Sequence, residues 1–538
     1  MKRTVKILLC AAVIVLSGCS SGNTERSDIN IVDAGGHLIS GSSEYSDSSN
    51  DLSNNTTAYI SESTASEPTV SQNSKPSEYV ENKEDSVPQT SSVATQSSTL
   101  VTSESAASAH KPALESSEAL KVDEPPKPPE VSESIPFSEK TTVPETTAAT
   151  VPSEPTEEPP DPPISDIGTN SYKTLNFSEV KGIWISYIEL SEMLTGQSES
   201  AFRKNIGAAY DNIAELGLNT VYVHVRSHGD AYYRSELFPT SKYASGTLGK
   251  DAGFDPLEVM IEEAHGRGLS FQAWINPLRC CSVEELSALS GYKINDFADG
   301  KRAVAVNGNY YLNPAYDEVI NYIAKGAAEI AANYDVDGLH IDDYFYPTTD
   351  FSFDSAAFSQ SGFDTISAFR LANCDKLVSG IYGAVKSANN SALFSVSCQG
   401  SVENNYNQMY ADVKKWCSQR GYLDYVMPQI YYGFNNSTQP YETCASQWSD
   451  MAQSGGIPLV VGLSVSKVGL EDVWAGAGKT EWITDENILS RQIRYALELR
   501  SYGGVCLYSY RSVFAPDAGV KEKVNDEIAA VRSCWEIG

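Results

Sequence analysis

Aromatic residues and cysteine are almost missing from the first third of this chain. Residues 20–170 contain no cysteine and four of the 53 aromatic residues, Tyr45, Tyr59, Tyr79 and Phe137. The same stretch holds 26 acidic and 7 basic residues, and Ser, Thr and Pro fill much of the rest. Such a segment buries too little apolar surface to offset its ordering entropy. We therefore predict that residues 20–170 form a disordered acidic linker, a long tether that precedes a folded domain.

Basic residues are scarce in the chain as a whole. There are 39 Lys and Arg against 70 Asp and Glu, which gives a formal net charge of −31. Nucleic acids are bound mainly through basic residues that neutralise phosphates, so the composition argues against nucleic acid as a ligand. Residues 171–538 keep a net charge near −15, which argues against anionic polymers as the main ligand.

The cysteines lack the spacing of a metal site. Eight of the ten lie in residues 171–538, and no C-x-x-C pair occurs among them, so a zinc site is not expected. No other ligand spacing supports a metal, and no cofactor is predicted. Disulfide connectivity is not readable from the sequence, and we expect most of these cysteines to be small buried side chains.

The first nineteen residues have the pattern of an export signal. Basic residues precede an apolar run that ends in small residues, and this run is too short for an ordinary membrane span. The tetrad LSGC at 16–19 resembles the bacterial lipobox, in which the cysteine is lipidated and becomes the N-terminus. We predict an extracytoplasmic protein anchored to the bacterial cell membrane through lipid on Cys19. The alternative is a soluble secreted protein.

Residues 171–538 alternate between β-rich segments and amphipathic helical segments. In the helical segments apolar residues recur at three- and four-residue spacing, and several segments end in glycine. Eight β–α units predict the α/β class and a (β/α)8 TIM barrel over residues 171–538. The eight strand-like segments are GIWISY (182–187), TVYVHVRS (220–227), SFQAWINP (270–277), VDGLHID (336–342), LFSVSC (393–398), DYVMPQIYY (424–432), PLVVGLSV (458–465) and GVCLYSY (504–510).

The carboxyl ends of barrel strands carry the functional side chains. A long connection, Leu278 to about Ala315, follows the third strand and is expected to help build that face of the barrel. Aromatic faces cover the C–H faces of sugar rings, while Asn, Gln, Arg and Asp bind sugar hydroxyls, so the strand ends predict a sugar-binding cleft. Side chains found there are Arg226, Asp230, Asn276, Asp342, Asp343, Gln429, Tyr431, Tyr432, Tyr508, Tyr510 and Arg511.

Two adjacent aspartates end the fourth strand, in VDGLHIDDYFYP (336–347). Successive side chains of a strand point to opposite faces, and the apolar Leu339 and Ile341 suit the helix-facing side. His340 and Asp342 are then expected to point into the barrel, with Asp342 at its rim. Asp343 is expected to face the other way and to hold the following loop rather than to form a carboxylate dyad.

Five motifs in order resemble the glycosyl-hydrolase-like 10 family, formerly DUF187, over most of residues 178–515. They are KGIWISY, LNTVYVHVRSHGDAYYRSELFP, FQAWINPLR, VDGLHIDDYFYP and DYVMPQIYYGF. The resemblance implies a barrel glycosidase of the cell envelope, and a characterised member acts on peptidoglycan strands stripped of their peptides. Residues that match the family's motifs are Arg226, Asp230, Asn276, Asp342, Asp343, Tyr344, Gln429 and Tyr431.

Hydrolysis of a glycosidic bond usually needs two carboxyl groups. Asp342 is the predicted first catalytic carboxylate. Asp230, Asp343 and Glu403 all lie at the correct end of the barrel and remain alternatives for the second, with Asp230 ranked slightly ahead because it lies inside a matching motif. The substrate-binding residues expected around them are Arg226, Asn276, Asp343, Tyr344, Gln429, Tyr431 and Tyr508.

These observations predict a monomeric glycoside hydrolase whose partner is a cell-envelope polysaccharide, peptidoglycan above all. Two alternatives remain open at this point. A non-catalytic barrel that binds glycan would need the same aromatic residues. A hydrolase of an amino-sugar exopolysaccharide would suit the acidic domain, because a deacetylated glycan is partly cationic.

Overall fold

The computed structural model describes residues 168–535 and three short antiparallel strands, Val13–Val15, Asn30–Val32 and Leu38–Ile39. The predictions for the export signal, for lipidated Cys19 and for the linker at 20–170 otherwise concern positions outside the described residues. No helix within the described part is long and apolar enough to cross a membrane.

Eight parallel strands close into a barrel in chain order, each paired with its neighbours in sequence and β8 paired with β1. Each of the eight predicted segments overlaps one of these strands, so the predicted (β/α)8 barrel is confirmed. The strands are β1 (Val180–Ile185), β2 (Thr220–Arg226), β3 (Ser270–Ile275), β4 (Gly338–Ile341), β5 (Leu393–Val396), β6 (Tyr425–Val426), β7 (Leu459–Ser464) and β8 (Tyr502–Tyr508).

At least one helix follows each strand before the next strand begins. Some of these helices start at a side-chain cap. Ser198 accepts a hydrogen bond from the N–H of Ala201, and Asp255 accepts those of Leu257 and Glu258, which satisfies otherwise unpaired donors. The helices are Glu199–Glu215, Pro256–His265, Asp317–Asn333, Ile366–Ala388, Val413–Ser418, Tyr441–Gly455, Ile488–Leu497 and Lys521–Trp535.

Further helices and turns lie in the connections at the carboxyl ends of the strands. They are the helices Tyr187–Leu194, Lys242–Ser245, Val283–Ser287, Lys293–Phe297, Ser355–Ser361, Val402–Asn407, Glu481–Thr484 and Tyr510–Phe514, and the 3-10 turns Phe351–Phe353, Val465–Lys467 and Gly476–Gly478. The long connection after β3 also carries a three-stranded antiparallel sheet of Arg279–Ser282, Ala303–Val306 and Asn309–Leu312.

Strand alternation separates two apolar cores. Leu339 and Ile341 belong to the large core between the strands and the surrounding helices. A smaller cluster fills the barrel interior and includes Trp184, Tyr222 and Trp274. The eight cysteines of the barrel domain are all buried, as expected for small apolar side chains.

The chain that leads into β1 packs against the amino-terminal end of the barrel. Asp337, which directly precedes β4, accepts hydrogen bonds from the hydroxyl of Tyr172 and the backbone N–H of Leu175. The backbone N–H of Asn170 donates to the carbonyl of Ala388 at 2.8 Å. Among the described residues, packing against the barrel is therefore seen from Asn170 onwards.

Candidate active site

The carboxyl-terminal mouth of the barrel contains a cleft made of two adjoining pockets. The first, here called the aromatic pocket, has an empty volume of about 650 Å³. It is lined by Trp184, Ser186, Tyr187, Ile188, His224, Trp274, Arg279, Asp342, Asp343, Tyr344, Ser397, Gln429, Tyr431 and Tyr508. Of the predicted site residues, the structure brings Asp342, Asp343, Tyr344, Gln429, Tyr431 and Tyr508 to this pocket.

Asp342 is the buried carboxyl of the aromatic pocket, with 3% of its surface exposed. Its Oδ2 accepts hydrogen bonds from the indole N–H of Trp274 at 3.0 Å and from Nδ2 of Asn276. Burial is the main cause that raises the pKa of Asp342 to about 7, and the neighbouring carboxyl of Asp343 adds to the rise. A carboxyl with this pKa holds or releases a proton near neutral pH, which is what general acid–base catalysis requires.

Asn276 does not line the pocket itself but connects Asp342 to the guanidinium of Arg279 and the imidazole of His224. Its Oδ1 accepts a hydrogen bond from Nη2 of Arg279 at 2.7 Å and lies 3.0 Å from Nε2 of His224. Because Nδ1 of His224 accepts the backbone N–H of Tyr187 at 3.0 Å, the proton of this imidazole belongs on Nε2, which donates to Asn276. The amide is therefore held with its Nδ2 towards Asp342.

Asp343 also faces the cleft, so the expectation that it points away from it is wrong. The strand β4 ends at Ile341, and the strict alternation of side chains does not extend beyond the strand. Oδ1 of Asp343 accepts a hydrogen bond from Nε2 of Gln429 at 2.9 Å. Burial raises the pKa of Asp343, and the two carboxyls therefore titrate as an interacting pair.

The second pocket, here called the polar pocket, adjoins the first and shares Asp343, Gln429 and Tyr431 with it. Its remaining lining is Gln399, Gly400, Asn404, Tyr432, Asn436, Lys467, Asp472 and Trp474, and its empty volume is about 510 Å³. Lys467 pairs with Asp472 at 2.8 Å. A chain of sugars that crosses the mouth would thus meet an aromatic wall on one side of Asp343 and a polar wall on the other.

His340 lies below the cleft in the barrel core. Its Nε2 accepts the indole N–H of Trp184 at 3.2 Å, and its Nδ1 lies 2.8 Å from the hydroxyl of Ser395. Burial lowers the pKa of His340 to about 3, so this imidazole is neutral and serves as a hydrogen-bonded part of the core. Trp184 above it is buried and still forms part of the pocket floor.

Arg226 is not at the site, although it was expected to bind substrate. The pairing of β2 with β3 skips a residue between His224 and Arg226, and such a bulge reverses the facing of the side chains beyond it. Arg226 is fully buried with its guanidinium 4.3 Å from the ring centre of Phe238. It therefore packs on the helix side of the barrel rather than in the cleft.

Asp230 and Glu403, two of the three candidates for a second carboxylate, line neither pocket. Asp230 is buried and accepts the backbone N–H groups of Ser227 and His228 at 3.0 and 2.8 Å, so it closes the turn after β2. Glu403 is exposed in the first turn of a short helix. Asp343 is the candidate that the structure places beside Asp342.

Several residues of the cleft were not singled out from the sequence. Arg279 is buried between the rings of Tyr344 and Tyr187, with its Cζ 4.7 and 5.4 Å from the respective ring centres. His224 stacks on Trp274 with ring centres 3.4 Å apart. Alternation along β2 is the sequence signal that could have found His224, whereas Arg279 belongs to the inserted sheet, whose position no strand pattern predicts.

A closed parallel barrel with paired carboxyls in an aromatic cleft at its carboxyl-terminal mouth defines a protein of the glycoside hydrolase-like class. The profile of the glycosyl hydrolase-like 10 family matches residues 179–476. The chain belongs to that family, and the resemblance read from its motifs is confirmed.

Curated relatives agree with this assignment. Glycosyl hydrolase YngK of Bacillus subtilis (strain 168) is 30% identical over 380 residues, which cover 65% of this chain and 72% of that protein. Glycosyl hydrolase DigH of Escherichia coli (strain K12) is 32% identical over 285 residues, which cover 48% of this chain and 65% of DigH. Among solved structures, the PgaB (BpsB) glycoside hydrolase domain from Bordetella bronchiseptica aligns with a TM-score of 0.41 and 13% identity, over 66% of this chain and 98% of that one.

Proposed function

We infer that this protein is an extracytoplasmic glycoside hydrolase that cleaves glycan of the bacterial cell envelope, with peptidoglycan strands as its substrate. The main support for this function is that Asp342 is a buried carboxyl with a raised pKa inside an aromatic cleft. Strongly perturbed carboxyls in clefts are characteristic of catalytic acids and bases. A barrel that only bound glycan would need no carboxyl held near neutrality.

The shape of the cleft supports a polymeric substrate. The aromatic and polar pockets meet at Asp343, so the sugar units on the two sides of a scissile bond can bind in separate pockets. Trp474 at the polar pocket is 42% exposed, which suits a ring that stacks on an incoming sugar rather than on the protein core.

The proposed location follows from the lipobox-like tetrad at 16–19. Lipid on Cys19 anchors the protein at the outer face of the membrane, and the acidic linker lets the barrel reach the wall. An anchored hydrolase of this kind acts on glycan close to the membrane surface.

Three substrates separate the functions that remain open. The full chain is incubated with intact wall, with denuded peptidoglycan strands and with a deacetylated glucosamine polymer, and the products are analysed by mass spectrometry. Cleavage of the denuded strands supports the proposal, and selective cleavage of the glucosamine polymer supports an exopolysaccharide hydrolase. Binding without any product would identify a non-catalytic module. Asp342→Asn should lower turnover by roughly 10²–10⁴-fold.

A further inference from the structure

The carboxyls of the cleft are arranged in an unusual way for a glycoside hydrolase. In the aromatic pocket they are the consecutive residues Asp342 and Asp343, and the polar pocket adds Asp472, which is paired with Lys467. A two-carboxylate mechanism needs groups that flank the sugar, about 5–5.5 Å apart for retention or 6.5–9.5 Å for inversion. Two consecutive residues, with Cα atoms about 3.8 Å apart, reach the sugar from one side.

We propose that hydrolysis at this site is substrate-assisted, so that its substrates carry a 2-acetamido group on the sugar bound in the aromatic pocket. The acetamido carbonyl oxygen is the nucleophile, Asp342 accepts the acetamido N–H, and Asp343 is first the general acid and then the general base. This inference rests on the proposed hydrolase function and specifies its mechanism.

The bonds and protons balance in two steps. The carbonyl oxygen attacks C1 while the bond from C1 to the leaving oxygen breaks, and Asp343 gives its proton to that oxygen. The product is a five-membered oxazolinium ring fused at C1 and C2, whose N⁺–H donates to ionised Asp342. Asp343 then takes a proton from water, the hydroxide attacks C1, and the ring reopens to the acetamido group. Two displacements at C1 leave its configuration retained.

The two roles follow from where the carboxyls lie. Asp343 lines both pockets and therefore stands at their junction, where the oxygen between two sugar units passes. Asp342 lines only the aromatic pocket, beside the sugar that reacts. The hydrogen bonds from Trp274 and Asn276 to its Oδ2 hold its carboxylate in place. Oδ1 accepts the backbone N–H of Tyr344 at 3.3 Å and keeps a second lone pair for the acetamido N–H.

The aromatic pocket also suits an acetamido methyl group. Its floor is formed by Trp184 and Trp274, which are buried, and its wall includes Tyr431 and Tyr508, whose ring centres are 5.6 Å apart. Rings that lie beside the two carboxyls suit a group that is a methyl on one side and an N–H on the other. A sugar with a free 2-hydroxyl or 2-ammonium group would leave this apolar surface unfilled and would supply no nucleophile.

The mechanism requires the one proton of the pair to lie on Asp343 when substrate is bound, and the acetamido N–H favours this by donating to ionised Asp342. Burial raises the pKa of both carboxyls, and the charge of Asp343 raises that of Asp342 further. Interacting carboxyls lose their protons in two separate steps. Between these steps the pair carries one proton, which provides one acid for the leaving oxygen and one anion for the acetamido group.

A binding experiment tests the mechanism without depending on turnover. Thiazolines fused at C1 and C2 of N-acetylglucosamine and of N-acetylmuramic acid mimic the bicyclic intermediate, and calorimetry on the full chain compares each with its parent sugar. At least one thiazoline should bind 100-fold or more tighter, as transition-state mimics do, and Asp342→Asn should remove that difference. Glu403→Gln, an exposed rim residue, is the control that should retain it. Equal binding of both thiazolines and their parent sugars overturns the mechanism.

Turnover separates this inference from the proposed function. Denuded strands should be cleaved with retention at C1, as followed by NMR of the fresh product. Cleavage with inversion replaces this mechanism by a two-carboxylate one while the hydrolase function stands. Tight thiazoline binding with no cleavage of any glycan supports the pocket chemistry and contradicts the proposed function.

Discussion

Asn276 donates a hydrogen bond from Nδ2 to Oδ2 of Asp342, while its Oδ1 is held by Arg279 and His224. Among the described residues, neither Arg279 nor His224 forms a hydrogen bond with Asp342 directly. The Asn276 amide, which both of them orient, therefore determines the position of the donor to Asp342. The hydrogen bond from Asn276 also favours the ionised carboxylate and opposes the rise in the pKa of Asp342. Asn276 is thus a positioning residue that tunes the protonation of its neighbour.

Asn276→Ala should move the pH dependence of hydrolysis. Without the amide N–H, the pKa of Asp342 rises further, because burial and Asp343 remain and one stabilising donor is lost. We expect the acidic limb of the kcat/KM profile to shift to higher pH by about one unit. Glu403→Gln should leave the limb in place. An unchanged limb in Asn276→Ala would show that this hydrogen bond does not set the protonation of Asp342.

Asp342→Asn should make the domain more stable at alkaline pH than the parent protein. The raised pKa of Asp342, about 7, means that the folded state holds a proton that the unfolded chain releases near pH 4. Stability from this group is therefore greatest below pH 4 and is lost as the pH rises towards 7. The asparagine carries no such dependence, and the difference reaches at most roughly 4 kcal/mol.

The measurement is the melting temperature of both proteins at pH 5 and pH 8. The advantage of Asp342→Asn should grow between the two values. Asp364→Asn, which changes an exposed aspartate, should show no such growth. A constant difference across this range would mean that Asp342 is already ionised at pH 5.

The alternation of side chains along a strand predicts which side chains point into the barrel only where the strand is regular. The residues at the ends of β2 and β4 show this. His340 and Asp342 face the barrel interior and its mouth as alternation requires, because β4 is regular up to Ile341. Arg226 follows a bulge, and one extra residue in β2 turns it away from the cleft. Asp343 lies beyond the end of its strand, where the chain direction is free to change.

Other parts of the site depend on tertiary packing that no local pattern carries. Arg279 enters the cleft from the inserted sheet, and Lys467 and Asp472 come from the connection after β7. Motif similarity located the strand ends and ranked Asp230 ahead, but only the fold shows that Asp343 lies beside Asp342. The buried turn around Asp230 is formed by backbone donors, which the sequence does not display.

Limited proteolysis should define the start of the folded domain. The acidic composition of residues 20–170 predicts a disordered linker, and Asn170 and Tyr172 make the first contacts with the barrel among the described residues. A low dose of a broad-specificity protease should leave a stable fragment that begins near residue 171 and retains the melting temperature of the full chain. A protected fragment from within residues 30–160 would contradict the linker.

Cys19→Ala should release the protein from the membrane or leave it as a larger precursor. The tetrad at 16–19 predicts lipidation, and the lipid supplies the membrane affinity. Membrane fractionation and precursor size on gels measure the outcome. Ser20→Ala, which changes the next residue, is the matched control and should fractionate as the parent does. Unchanged fractionation and size in Cys19→Ala would favour a different mode of attachment.

Trp474→Ala should weaken the binding of long glycans more than that of short ones. Trp474 lines the polar pocket with 42% of its surface exposed, so it can stack on a sugar beyond the reacting one. Its backbone N–H donates to Asp472 at 3.4 Å, a contact that alanine retains. Loss of an aromatic stacking contact costs about 0.5–1.5 kcal/mol, which raises KM for polymeric glycan by roughly two- to tenfold. The KM for a disaccharide glycoside that fills only the aromatic pocket should stay unchanged, as should kcat.

Phe363→Ala removes an equally exposed ring that lies outside both pockets and should change neither KM. If Trp474→Ala and Phe363→Ala behave alike on long glycan, then the polar pocket does not hold the second part of the substrate.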